Sequence, residues 1–70
     1  MSTEDELRQI EEDLARLKAA VADLRRQVGD MGATDAAERA AMLALADEQD
    51  GVITDLEARR DELRRRVAEG

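Results

Sequence analysis

Five arginines crowd the last dozen residues of this 70-residue chain: Arg59, Arg60, Arg64, Arg65 and Arg66. Planar guanidinium groups hold carboxylates and phosphates through paired N–H bonds, so such a cluster can grip a phosphorylated ligand, a nucleotide or an acidic protein surface. The same residues also suit the last turns of a helix, where positive charge complements the macrodipole. Asp61, Glu62 and Glu69 dilute the patch further. A second polar feature is Gln49, an amide in heptad step with Leu56 and Leu63. One amide at a core position of a helical seam selects register and oligomer state at some expense of stability. The acidic run Asp47-Glu48-Gln49-Asp50-Gly51 does not match a calcium loop, which needs oxygen ligands at positions 1, 3 and 5 and glycine at 6.

Other chemistry is scarce. The chain has no His and no Cys. The commonest general base, the commonest neutral metal ligand, the thiolate nucleophile and the zinc or iron–sulfur ligand sets are therefore all missing. Without His, a carboxylate di-metal bundle cannot be built from its Glu-x-x-His pairs. The hydroxyls are Ser2, Thr3, Thr34 and Thr54, and none has a neighbouring base to activate it. The composition implies a protein that is not an enzyme, with no cofactor and no metal.

Charge narrows the partners. Eighteen acidic residues against eleven basic ones leave a net charge of −7, and there is no Phe, Tyr or Trp. Phosphate readers are usually basic, and single-strand binders add aromatic stacking platforms, so nucleic acid is not expected. No apolar stretch approaches the ~20 residues of a membrane span. The acidic start Met1-Ser2-Thr3-Glu4-Asp5-Glu6 is unlike a secretory leader. The expected location is cytoplasmic. Ten of the eleven basic residues are Arg, and Ala is the commonest residue, a bias expected from a GC-rich bacterial genome.

These side chains must be positioned by helices. From Leu7 the large apolar residues fall at Leu7, Ile10, Leu14, Leu17, Val21, Leu24, Val28 and Met31. The alternating steps of three and four are an unbroken heptad repeat. Thr3-Glu4-Asp5-Glu6 has the form of a capping box, with Glu6 reaching back to the Thr3 position. Helix 1 is predicted over about 4–29. Gly29 and Gly32 suggest a C-terminal stop and a turn over about 29–34. Thr34 or Asp35 can then cap helix 2, predicted over about 35–68.

Helix 2 carries two superimposed heptad readings. One runs Met42, Ala46, Gln49, Ile53, Leu56, Arg60, Leu63 and Val67. The other runs Met42, Leu45, Gln49, Val52, Leu56, Arg59, Leu63 and Arg66. Together they form a stripe wider than a two-stranded seam, as on a helix within a three- or four-helix bundle. Gly51, which costs about 1 kcal/mol in a helix interior, marks a possible break. A single long parallel coiled coil would keep one heptad phase throughout, but it would bury Asp35 and Glu38.

Segment charges favour a hairpin. They run −5 over 1–13, +3 over 14–28, −4 over 34–51 and +2 over 59–70. Folding at the glycines sets basic against acidic stretches, with facing residue numbers summing to about 64. That register leaves residues 61–69 beyond the end of helix 1, with Leu63 and Val67 unpartnered on an overhang, so their removal should spare the folded core. Only sixteen Leu, Ile, Val or Met residues follow Met1, few for a core of one small chain, and this too implies self-association.

The sequence thus predicts an all-α fold: one domain over 1–70, an antiparallel helical hairpin of coiled-coil type that dimerises into a four-helix bundle. The expected function is that of a small interaction or regulatory protein that binds itself and an unidentified protein partner. The candidate partner-binding residues are Arg59, Arg60, Leu63, Arg64, Arg65, Arg66 and Val67, and Gln49 is the candidate register residue. Two alternatives stay open: a purely structural oligomerisation module, and a sensor of nucleotides or phosphorylated ligands using the helix 2 arginines.

Overall fold

The computed structural model describes residues 2–32 and 35–70. They form two helices, α1 (Thr3–Asp30) and α2 (Ala36–Glu69), packed against each other as an antiparallel hairpin with dimensions of 55 × 16 × 15 Å. The fold is all-α, as the heptads predict, and both helices extend to within a residue or so of the expected ends. α2 runs unbroken through Gly51. The Ala-rich stretch 36–46 has the high helical propensity that sustains this length, and a long packed face offsets one glycine.

The caps correct the sequence reading in detail. Ser2, not Thr3, caps α1: its Oγ accepts from the backbone N–H of Asp5 at 3.1 Å. Moving the cap back one residue makes Asp5 the third helical residue. Asp5 accepts from Arg8 at 2.6 Å instead of closing a capping box, and Glu6 is left free to cross to α2. At the other end, Gly29 lies inside the helix. The chain leaves through Met31, extended at φ −71° and ψ 136°, whose N–H donates to the carbonyls of Gln27 and Val28. No glycine among the described residues adopts positive φ. Asp35 caps α2, accepting from the N–H of Glu38 at 2.9 Å; the alternative cap, Thr34, lies outside the described residues.

The core is one seam. Ile10, Leu14, Val21, Ala46, Ile53 and Leu63 are buried together, with Leu7, Leu17, Leu24 and Leu56 packed around them. Among the described residues Leu63, at 0% exposure, is the one large side chain wholly enclosed. That burial contradicts the predicted register. Facing numbers summing to 64 would place Leu63 beyond the start of α1 at Thr3, outside the two-helix seam. The ion pairs between the helices give the register directly. Glu6–Arg59 sums to 65, while Glu11–Arg64, Lys18–Glu57 and Arg25–Asp50 each sum to 75. The two values mark the two edges of the interface, and the seam between them runs at about 70.

Leu7 therefore faces Leu63 rather than Leu56, and Val21 faces Gln49 rather than Met42. There is no overhang over residues 61–69. At this register Val67 lies beside Thr3, and the surplus length of α2 falls at the turn, where residues 36–39 continue past the end of α1.

Candidate functional site

The arginine cluster sits at the open end of the hairpin, where the last turns of α2 flank the first turns of α1. The structure brings most of its guanidinium groups onto carboxylates of the same chain. Arg59 is the best held: Nη2 donates to both carboxylate oxygens of Glu6 at 3.1 and 3.2 Å, and Nη1 donates to Glu62 at 3.1 Å. The bond to Glu62, and then that to Glu6, pushes the Arg59 pKa above its ordinary value. Glu62 is held below the usual carboxylate range, first by the Arg59 bond and then by the charge of Arg66. Arg64 reaches Glu11 at 3.2 Å, Arg66 reaches Glu62 at 2.6 Å, and Arg60 bonds Asp61 at 3.1 Å.

The seven residues proposed from the sequence thus divide. Arg59, Arg60, Arg64 and Arg66 are tied to acids within the hairpin. Leu63 is buried in the seam and presents nothing to a partner. Arg65 is exposed and makes no ion pair among the described residues. Val67 is 39% exposed and borders a shallow depression of about 340 Å³ shared with Ser2, Thr3, Glu4, Arg66 and Gly70. A phosphate arriving here would have to displace carboxylates already in place. No group of three or more acidic side chains among the described residues is arranged to hold a metal ion.

The two edges of the hairpin differ in chemistry. On one, Glu11, Lys18 and Arg25 of α1 meet Arg64, Glu57 and Asp50 of α2, three ion pairs one heptad apart, and the same α2 line ends toward the turn at Leu43, which is 42% exposed. The opposite edge begins with Glu6–Arg59 and then turns apolar. Along α2 the same heptad position carries Glu38, Leu45, Val52 and Arg59. Leu45 is 46% and Val52 43% exposed. Beside them an open groove of about 430 Å³ is lined by Ala20, Val21, Asp23, Leu24, Gln27, Leu45 and Gln49. Gln49 is half-buried here, at the border between the seam and the groove.

This apolar edge is missing from the sequence-derived site list. Its signal is the second heptad reading of helix 2: α1 covers the Ala46, Ile53 and Leu63 side of the stripe, and the Leu45 and Val52 side is left over. Comparison of the chain with protein-family models, curated proteins and solved structures finds no match. Among the described residues, no helix is long and apolar enough to cross a membrane.

Proposed function

We propose that the chain is a small non-enzymatic interaction module, a helical hairpin that associates with a second copy of itself and presents a helix face to a protein partner. The observation that supports this is surface. The hairpin exposes 4955 Å², whereas a compact monomer of 7.8 kDa exposes about 4,400 Å². The difference, roughly 550 Å², approaches what one side of a small specific interface buries. Two helices make one layer, and a layer with apolar residues on its free edge gains by packing against another.

The partner-facing part of the proposal rests on the open end, where Arg65 and Val67 are exposed on different faces of the last turns of α2. Pairing within the hairpin uses the other guanidinium groups, which gives more support to a protein-facing role than to ligand sensing. The test is the mass in solution, by light scattering and sedimentation equilibrium across a range of concentrations. A species of twice 7.8 kDa is expected, and a monomer at every concentration refutes self-association. For the partner, the paired change Arg65→Glu and Val67→Glu should abolish capture of a specific protein from the native host while leaving helicity intact. Capture that survives both changes places the contact elsewhere.

A further inference from the structure

We infer that the free edge of α2 bearing Glu38, Leu45, Val52 and Arg59 is the surface on which a second copy of this chain docks, antiparallel, about a two-fold axis beside Gln49. The inference rests on the self-association proposed above and names its surface and geometry.

Three observations carry it. The first is the charge pattern. The four residues are spaced by seven, so they lie on one line of the helix. Read from the N-terminus, they run acid, apolar, apolar, base. Laid antiparallel against itself, this line sets Leu45 opposite Val52 of the second copy and Glu38 opposite its Arg59, each twice. Laid parallel, it sets Glu38 on Glu38 and Arg59 on Arg59, and like charges in contact discriminate against that arrangement.

The second observation is availability. The other edge is closed by three ion pairs within the chain and offers a second copy little uncompensated charge. On the free edge Glu38 is exposed. The Arg59 side chain, although it already holds Glu6 and Glu62, is still 39% exposed. A guanidinium carries five N–H donors, enough to meet a third carboxylate from the open side.

The third is area. Leu45 and Val52 are two of the four large apolar side chains that the described residues leave exposed, with Leu43 and Val67, and they are the two that share one heptad line; Leu45 also borders the groove against α1. The whole elongated hairpin exposes roughly 550 Å² more than a compact monomer of its mass, of the order buried per subunit in a small dimer interface, and this edge is one part of that surface. Gln49 falls beside the axis, where one amide can both donate to and accept from its mate. Such a pair fixes alignment as well as affinity.

The absence of Cys makes cross-linking clean. Across the proposed axis, position 45 lies opposite 52, but 45 lies about 10 Å along the helix from its own mate, beyond the Cα separation a disulfide spans. Chains carrying Leu45→Cys and Val52→Cys, mixed and oxidised with oxidised glutathione, should therefore cross-link to each other, and each alone should not. The double change Leu45→Glu and Val52→Glu should halve the mass measured by sedimentation while leaving far-ultraviolet dichroism unchanged, since both positions are about half exposed. A wild-type dimer that keeps its mass in the double variant, or that cross-links through Leu45→Cys alone, overturns this edge and leaves self-association standing. A wild-type monomer overturns both.

Discussion

Leu63→Ala tests the register of the hairpin. Leu63 has 0% exposure, and at a facing sum of about 70 it is covered by the first turns of α1 around Leu7. Shortening a buried Leu to Ala removes its transfer free energy and leaves a cavity, together about 2–5 kcal/mol. Near the open end of a two-helix layer the walls can partly collapse, so about 3 kcal/mol is expected. A 70-residue domain has a total stability of roughly 4–10 kcal/mol, so this one change removes a third or more of it. In thermal terms the midpoint should fall by about 12–24 °C. Urea denaturation followed by far-ultraviolet dichroism measures the effect, at one fixed chain concentration because association contributes to apparent stability. Val67→Ala, on an exposed residue four positions later, is the control and should stay within about 0.5 kcal/mol. Removing 61–70 should unfold the chain rather than trim an overhang. If Leu63→Ala costs under 1 kcal/mol, or no more than Val67→Ala, the seam does not run where the ion pairs place it.

Other outcomes follow from single residues. Gly51 lies mid-helix with open space where a Cβ would stand, so Gly51→Ala should stabilise the fold by about 0.5–1 kcal/mol in the same urea titration; a loss would mean a neighbour occupies that face. Gln49→Leu should raise the denaturation midpoint while broadening the mass distribution in sedimentation, because an apolar residue at the border of seam and groove no longer discriminates among alignments. The carboxyl of Glu62 has its pKa lowered in the fold, so its contribution is present above the ordinary value of about 4.5 and lost as pH falls through the lowered one. Thermal midpoints taken from neutral to acid pH should therefore drop on the acid side, less steeply in Glu62→Gln, and superimposable curves would remove Glu62 from the account.

Much of the architecture is legible in the chain. The three–four spacing from Leu7 to Met31 specifies α1, and Asp35 three residues before Glu38 marks the start of α2. The register is not legible from charge sums over thirteen or fifteen residues, because blocks that long match almost as well when displaced by six. What decides it is pairwise: Glu11, Lys18 and Arg25 flank the α1 seam at heptad spacing, and Asp50, Glu57 and Arg64 do the same on α2. The first cap is ambiguous for a simpler reason. Ser2 and Thr3 are adjacent hydroxyls with an acid three residues after each, and Glu6 has a better partner in Arg59 than in the backbone. The arginine cluster reads as a free basic tip in the sequence because Glu6 and Glu11 lie some fifty residues away and only the hairpin brings them close.

The ion-pair ladder also explains how so modest a core holds one alignment. Reading Glu11, Lys18, Arg25 against Arg64, Glu57, Asp50 gives three attractive pairs. Slide α2 by one heptad in one direction and Glu11 meets Glu57, Lys18 meets Asp50 and Arg25 meets Leu43, one repulsion and one attraction. Slide it the other way and Lys18 meets Arg64 and Arg25 meets Glu57, again one repulsion and one attraction. Each exposed pair contributes only about 0–1 kcal/mol, yet either slip cancels all three at once and moves Leu63 out of its cover. The mixed order of signs, rather than the strength of any bond, separates the native alignment from its neighbours. An edge used this way is electrically complete. Among the described residues the other edge holds one such pair, Glu6–Arg59, followed along α2 by Val52 and Leu45 with Glu38 at the far end. One edge thus closes the chain on itself, and the other keeps the sign pattern on which the proposed antiparallel docking of a second copy rests.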